Sequence, residues 1–293
     1  MKNSINLTLK STAVLFALIL LSQPAFSSLP TDPAPGKTDT NLQYDYPADK
    51  SVRYLNTNNV IQKMDIEGQE MQTIVKTSLG CSVKSAGTSD QNLKLEISID
   101  EMSQNIESQG ANYGGPLTDM SGKVFSMILS KTGRETDLSE AKAIKYNASS
   151  GGTTDLSASF SDFFPDLPSA DVSPGDIWSA YDSLNIATES SSMNTKTKFE
   201  AKYEGNENID GAECTRISYN LSGTQTIFTQ SEGFDVKVRG PFTGKAVLFF
   251  SPELHYFIRY SSTINMKGNV EVLGMDMIIP IDMEINSETK IVN

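Results

Sequence analysis

The sequence predicts a mainly β protein: antiparallel curved sheets in two related halves, arranged as a half-barrel or a sandwich, with one or two short helices between them. Three observations carry that expectation. Apolar residues recur at every second position, as in Leu93, Leu95, Ile97 and Ile99 set between Lys94, Glu96, Ser98 and Asp100, which is the pattern of a strand with one wet face. Hairpin-type dipeptides separate such runs, Glu67-Gly68 in the first half and Asp210-Gly211 in the second. The chain also matches itself weakly at an offset of 122 positions, which places Thr73 and Lys76 on Thr195 and Lys198, and Gly122-Lys123 on Gly244-Lys245.

Taken in order, residues 1–28 read as a signal peptide. Lys2 and Lys10 give a basic start, 13–21 is an apolar run, and Ala25-Phe26-Ser27 sets small residues before a cleavage point at Ser28. The run is too short for a bilayer, which needs about 20 apolar residues, and no later stretch supplies them. The mature protein is therefore expected in the periplasm or outside the cell, with no transmembrane segment after signal cleavage. Residues 29–50 carry Pro30, Pro33, Pro35 and Gly36 among polar neighbours and read as a flexible spacer.

The first β half is placed at 51–139, a helical and Pro-rich connection at 140–174, and the second β half at 175–293. Within the connection, 139–146 behind Asp137 or Ser139, and 156–164 behind Thr154 and Asp155, read as short helices. Breaks are expected at Gly114-Gly115-Pro116, Gly133, Gly151-Gly152, Gly240-Pro241 and Gly268-Asn269. Near the C-terminus Met275, Met277, Ile279, Ile281, Met283 and Ile285 alternate mostly with polar residues. Pro280 within that run predicts an edge strand or a bulge, because proline has no N–H to give to a ladder.

Charge and composition exclude several classes. The 293 residues include 36 acids against 24 Lys and Arg, a formal net charge of −12. Loss of Lys2 and Lys10 with the export segment takes it to −14. An acidic chain without a basic run is no nucleic-acid binder. One histidine and two distant cysteines cannot assemble the usual zinc sites, so neither metal nor cofactor is expected. In an oxidising compartment Cys81 and Cys214 can pair, and a disulfide between them is the favoured expectation over two buried free thiols.

No catalytic signature stands out. His255 lies in the β-like run 254–260, and there is no Gly-x-Ser-x-Gly elbow and no Cys-x-x-Cys pair. Residues 206–211 imitate half a calcium loop, but Ile217 occupies the position of the closing Glu. Many acids are present, yet no spacing selects a hydrolytic pair. The feature that points to a ligand is the placement of methionine. Met64, Met71, Met266, Met275, Met277 and Met283, with Ile279 and Ile281, are the candidate ligand-facing residues, since Met adapts its shape to varied apolar partners. Ordinary gap filling in a β core is the competing explanation for the same residues.

Several pieces together resemble a family of exported bacterial proteins, domain-of-unknown-function family 6263. They are Gly68-Gln-Glu-Met71, the run 122–133, Phe164-Pro-Asp-Leu-Pro168 continuing to Trp178, and Tyr203 with Asp210-Gly-Ala-Glu-Cys214. The resemblance implies a β-rich fold and transfers no functional residue. Many such proteins are lipid-anchored, and this chain lacks the anchoring cysteine. The expected function is thus a non-enzymatic exported protein that binds an apolar small molecule or lipid between its sheets. The alternatives are a structural or adhesion module of the cell envelope and, more weakly, a carboxylate-based hydrolase. A continuous apolar cavity of about 300 Å³ or more would favour carriage, and a filled interior the structural role.

Overall fold

The computed structural model describes residues 40–292 except 150, 189, 190, 232, 233 and 276. The expected signal peptide and residues 29–39 of the expected spacer lie outside the described residues. The elements are β1 (Val52–Ile66), β2 (Gln69–Ser89), β3 (Asn92–Ser108), β4 (Ala111–Pro116), β5 (Val124–Leu129), β6 (Glu135–Asp137), α1 (Ser139–Ala143), β7 (Lys145–Asn147), β8 (Thr153–Asp155), α2 (Ser157–Phe160), β9 (Ile177–Ala187), β10 (Ser191–Ile209), β11 (Ala212–Ser231), β12 (Phe234–Ser251), β13 (Tyr256–Val272) and β14 (Met277–Ile291).

One antiparallel sheet of 12 strands dominates, in the order β6-β5-β3-β2-β1-β14-β13-β12-β11-β10-β9, with β4 beside β3. It consists of two consecutive meanders that meet where β1 pairs β14, and its two ends, β6 and β9, do not pair, so the curved sheet stays open as a half-barrel. Two-residue turns drive the meanders. Glu67-Gly68, Asp90-Gln91, Gln109-Gly110 and Asp210-Gly211 each have positive φ at both positions, the turn whose twist matches that of the flanking strands.

Period two sets the faces. In β1 the even-numbered positions Val52, Tyr54, Asn58, Val60, Gln62 and Met64 are buried, while Arg53, Thr57 and Lys63 are exposed. Every long strand contributes such a row, and the inward side chains from both meanders join one core cluster. The sheet therefore curls around its own inner face.

One end of that interior is filled by the chain itself. Leu42, Tyr44 and Tyr46 are buried, which corrects the expected spacer over residues 40–46. The reason is their own alternation with polar Gln43 and Asp45, which makes this segment a strap. It is held by backbone bonds from Thr40 to Val172 (2.8 Å), Tyr44 to Lys131 (2.8 Å) and Asp45 to His255 (2.8 Å). Phe160, Phe163 and Phe164 come down from the connection beside it, and Tyr44 packs edge-on against Phe250 at 5.3 Å while Tyr54 stacks on Phe257 at 4.6 Å.

Two expected breaks prove to be continuous strand. Gly240 lies inside β12 and Gly268 inside β13, where the two backbones come so close that a Cβ on Gly268 would sit 2.2 Å from the Arg239 carbonyl oxygen. Glycine is required there by contact, not by a turn. Gly244 likewise lies within β12, whereas Gly122 turns into β5 with φ of 78°. Pro280 belongs to a central strand rather than an edge, yet the β1–β14 ladder stops at Met64 and Ile281. From Pro280 onward towards Met277 the strand pairs with β13 alone, so the missing N–H falls where no partner strand needs it.

Candidate functional site

The inner face divides into three zones along the strands. The strap and connection fill the first with aromatic rings. A polar belt crosses the middle. Beyond it lies an apolar zone built from the expected methionines, which opens at the hairpin tips.

In the apolar zone the register places Met71, Met64 and Ile281 in one row and Gln62, Met283, Met266 and Phe242 in the next. Ile279 and Val270 follow towards the tips, beside Val238 and Ile227. Met64, Met266, Ile279, Ile281 and Met283 are buried, and Met71 is half-buried. Met275 and Met277 are not part of the core: they are 45% and 41% exposed. Met275 lies in the β13–β14 turn, and Met277 is the first residue of β14, paired with Val272. Phe234, 45% exposed, opens β12 on the period of buried Val236 and Val238, and Leu273, also 45% exposed, lies in the β13–β14 turn, where its N–H donates to the Asp235 carbonyl at 2.9 Å and ties the two tips together. Along β14 the inward-facing period thus runs from buried Met283, Ile281 and Ile279 to exposed Met277 at the tip. Sequence reasoning had found the methionines and missed the rim, Phe234 and Leu273. The signal available was a large apolar residue at each turn, where polar residues are the norm.

The belt consists of Gln104, Thr77, Asn58, Ser287 and Ser262, which pair across β3, β2, β1, β14 and β13. Asn58 donates to Asn56 at 2.6 Å, and Asn56 donates to Thr289 at 2.7 Å. Gln104 accepts from the Ser149 N–H. Asn58 Oδ1, Gln62 Oε1, Asp162 Oδ2 and the Tyr260 hydroxyl have no partner. A cavity of about 40 Å³ lies between Asn56, Asn58, Gln104, Tyr146 and Asp162, large enough for ordered water. These polar residues occupy inward positions of the same period as Tyr54 and Val60, which is how the sequence could have revealed them.

Asp162 and Asp166 are each 5% exposed, and Glu135 accepts from the Phe164 N–H at 3.2 Å. Burial, reinforced by Asp166, drives the Glu135 carboxyl well above the usual range. Burial also raises Asp162, with Glu135, Asp166 and Asp182 adding to it. Raised carboxyls are what a hydrolase would use; of these three only Asp162 lines the 40 Å³ cavity.

Cys81 and Cys214 are both buried free thiols, which corrects the expected disulfide. They stand on β2 and β11, five strands apart in the sheet, and at about 4.8 Å per strand their separation far exceeds the ~7 Å that a bridge tolerates. Burial pushes the Cys214 thiol up to about 11 and raises that of Cys81 further. His255 sits in the β12–β13 turn with φ of 61° and offers its carbonyl to Asp45. Residues 206–211 form the β10–β11 hairpin, where Asn208 accepts from the Gly211 N–H at 3.1 Å. Among the described residues no group of three or more His, Cys, Asp or Glu could hold a metal ion, and no helix is long and apolar enough to cross a membrane.

The outer face carries a second concavity. A groove of about 830 Å³ crosses β3, β2, β1, β14, β13 and β12 at mid-strand. Asn105, Lys76, Asn59, Asn286, Thr263 and Lys245 form one rung across it.

No family model and no curated protein matches the chain. Among solved structures it is similar to the Pseudomonas aeruginosa protein OccK5 (OpdH), at 7% identity and a TM-score of 0.28 over 85% of this chain and all of that one. A DUF1329 family protein from Desulfovibrio piger gives 9% identity and a TM-score of 0.18, covering 83% of this chain and 87% of its own. Pseudomonas aeruginosa OpdO gives 8% and 0.19, covering 84% and 98%. Likeness at this level carries no argument about function.

Proposed function

We propose that the protein is an exported, non-catalytic β protein that binds an apolar molecule, a lipid acyl chain being the simplest fit, on the track that ends at its hairpin tips. One observation carries this reading: Phe234 and Met277, both exposed, continue to the tips the inward-facing periods of β12 and β14 that bury Val236, Val238, Ile279, Ile281 and Met283, with exposed Leu273 and Met275 in the adjoining turn. Leaving such residues wet forfeits about 25 cal/mol per Å² of apolar surface, and an acyl chain laid along them recovers it. Flexible methionine side chains can part to admit it. Export supports the reading because envelope lipids are then within reach. Membership in family 6263 is proposed on the same footing, from the residues that carry that resemblance.

A structural or adhesion role is the second reading, favoured by the aromatic filling of the opposite end of the sheet and by the inner face, where the cavity described is about 40 Å³ and polar-lined, well short of the roughly 300 Å³ apolar space that carriage would favour. Titration with a fluorescent polyene fatty acid separates the two. The carrier reading expects saturable binding, weakened at least tenfold in the Phe234→Asp/Met277→Asp variant at unchanged melting temperature. No fluorescence rise, or equal affinity in the variant, would leave the structural role as the better account.

A further inference from the structure

The outer-face groove lies on the opposite side of the sheet from the apolar track. Thr57 and Asn59 of β1 line it, whereas Val60 and Met64 point inward. Its chemistry differs from the surface around it. Elsewhere the outer face is tiled with ion pairs, such as Arg53–Asp100 and Lys84–Glu96 towards one end and Arg239–Glu271 and Lys267–Asp282 towards the other. Within the groove Thr57, Asn59, Ser78, Ser103, Asn105 and Ser261, with Thr263 and Asn286, present hydroxyls and carboxamides.

The charges that border it are mostly neutralised. Lys76 pairs with Glu107 at 2.8 Å, and Glu288 is held by Arg259 and Lys290. Among the described residues Lys245 is left without an ion-pair partner on a long polar floor. Asn59 is half-buried there and its Oδ1 has no partner, although Thr263 and Asn286 bond each other at 2.8 Å. That oxygen is itself buried, and a buried carbonyl oxygen without a donor is a standing cost that turning the Asn59 carboxamide outward onto a ligand hydroxyl would relieve.

We infer that this groove is a binding site for a neutral polyhydroxylated chain, an oligosaccharide lying across the strands. Alternating donors and acceptors suit sugar hydroxyls. A polyphosphate or nucleic acid would need a cluster of basic side chains, and an apolar peptide would find only Ala246 and Val247. Length points to a chain rather than a single sugar: six strands at about 4.8 Å spacing give a floor of roughly 24 Å. The floor is a hydrogen-bonded sheet, already ordered before binding, so little conformational freedom is lost when a chain settles on it.

The test is a titration of the folded protein with cellohexaose, chitohexaose and maltohexaose, followed by calorimetry and by backbone amide shifts. At least one should bind saturably, shift amides of residues 57–59, 76–78, 261–263 and 286–288, and bind at least tenfold more tightly than its monosaccharide. Asn59→Ala/Thr263→Val should lower that affinity at least tenfold. Ser261→Trp, which fills the groove from a half-exposed position, should abolish it, with melting temperature as the control in both. Absence of saturable binding by all three chains, binding that the groove variants leave unchanged, or binding confined to anionic polymers would overturn the proposal.

Discussion

Tyr54 shows how much a single side chain carries. Its hydroxyl donates to the Phe257 carbonyl at 2.9 Å and bonds the Tyr46 hydroxyl at 2.9 Å, so one group ties strand β1 to β13 and to the strap. Tyr54→Phe removes both bonds, leaves the buried Tyr46 hydroxyl without this partner and should cost about 1 to 3 kcal/mol by urea denaturation, whereas Tyr46→Phe should cost only about 1 kcal/mol. Asp162 governs a pH response. Burial raises its carboxyl above the ordinary value of 3.8, with Glu135, Asp166 and Asp182 adding to the rise, and Tyr260 faces it from the sheet. A carboxyl raised by folding supports the fold while protonated, so stability is lost as pH climbs from the ordinary value through the raised one. Asp162→Asn should therefore flatten the decline in stability as pH rises above the ordinary carboxyl value, and parallel profiles for the two proteins would refute this. The thiols give the plainest test: unreduced protein should resist a thiol reagent while folded and take up two equivalents once denatured, in keeping with two free buried cysteines. Sequence could not reach that result, because pairing is a matter of distance between strands and the order of strands was not yet known.

At the scale of elements, regular alternation was the legible signal and close approach was the illegible one. The β3 run from Leu93 to Ile99 is buried at Leu93, Leu95, Ile97 and Ile99, as its pattern indicates. The Glu67-Gly68 and Asp210-Gly211 turns are likewise where the dipeptides placed them. Asp90-Gln91 makes the same kind of turn without glycine, so composition gave no warning of it. Gly240 and Gly268 read as breaks because glycine at a turn and glycine at a backbone contact look alike in sequence. Gly268→Ala should push β12 from β13 and destabilise by about 1 to 3 kcal/mol, shown by a lower denaturation midpoint with unchanged slope. The strap at 40–46 was hidden by the prolines before it. Tyr44→Ala should cost about 3 to 5 kcal/mol, as large aromatic truncations do, and should expose the thiol of Cys81 to reagent sooner.

The molecule is dominated by one open sheet of 12 strands whose two faces offer different chemistry. Its interior is aromatic at the strap end, polar across the middle and apolar towards the hairpin tips, while its outer face bears a polar groove between bands of ion pairs. The candidate methionines share a period that alternation made visible, and five of the eight candidate residues are buried, which ligand-facing residues and ordinary core filling have in common. Their extension into solvent at Met275 and Met277 depends on where β14 begins, which alternation alone does not mark. The account rests on that extension being used. The direct measurement is native mass spectrometry of the mature protein purified gently from its own host, with organic extraction of whatever it carries. The account predicts a reproducible one-to-one apolar adduct, absent from the Phe234→Asp/Met277→Asp variant. The bare mass of the fully reduced chain, with no uptake of offered fatty acid or phospholipid, would contradict it.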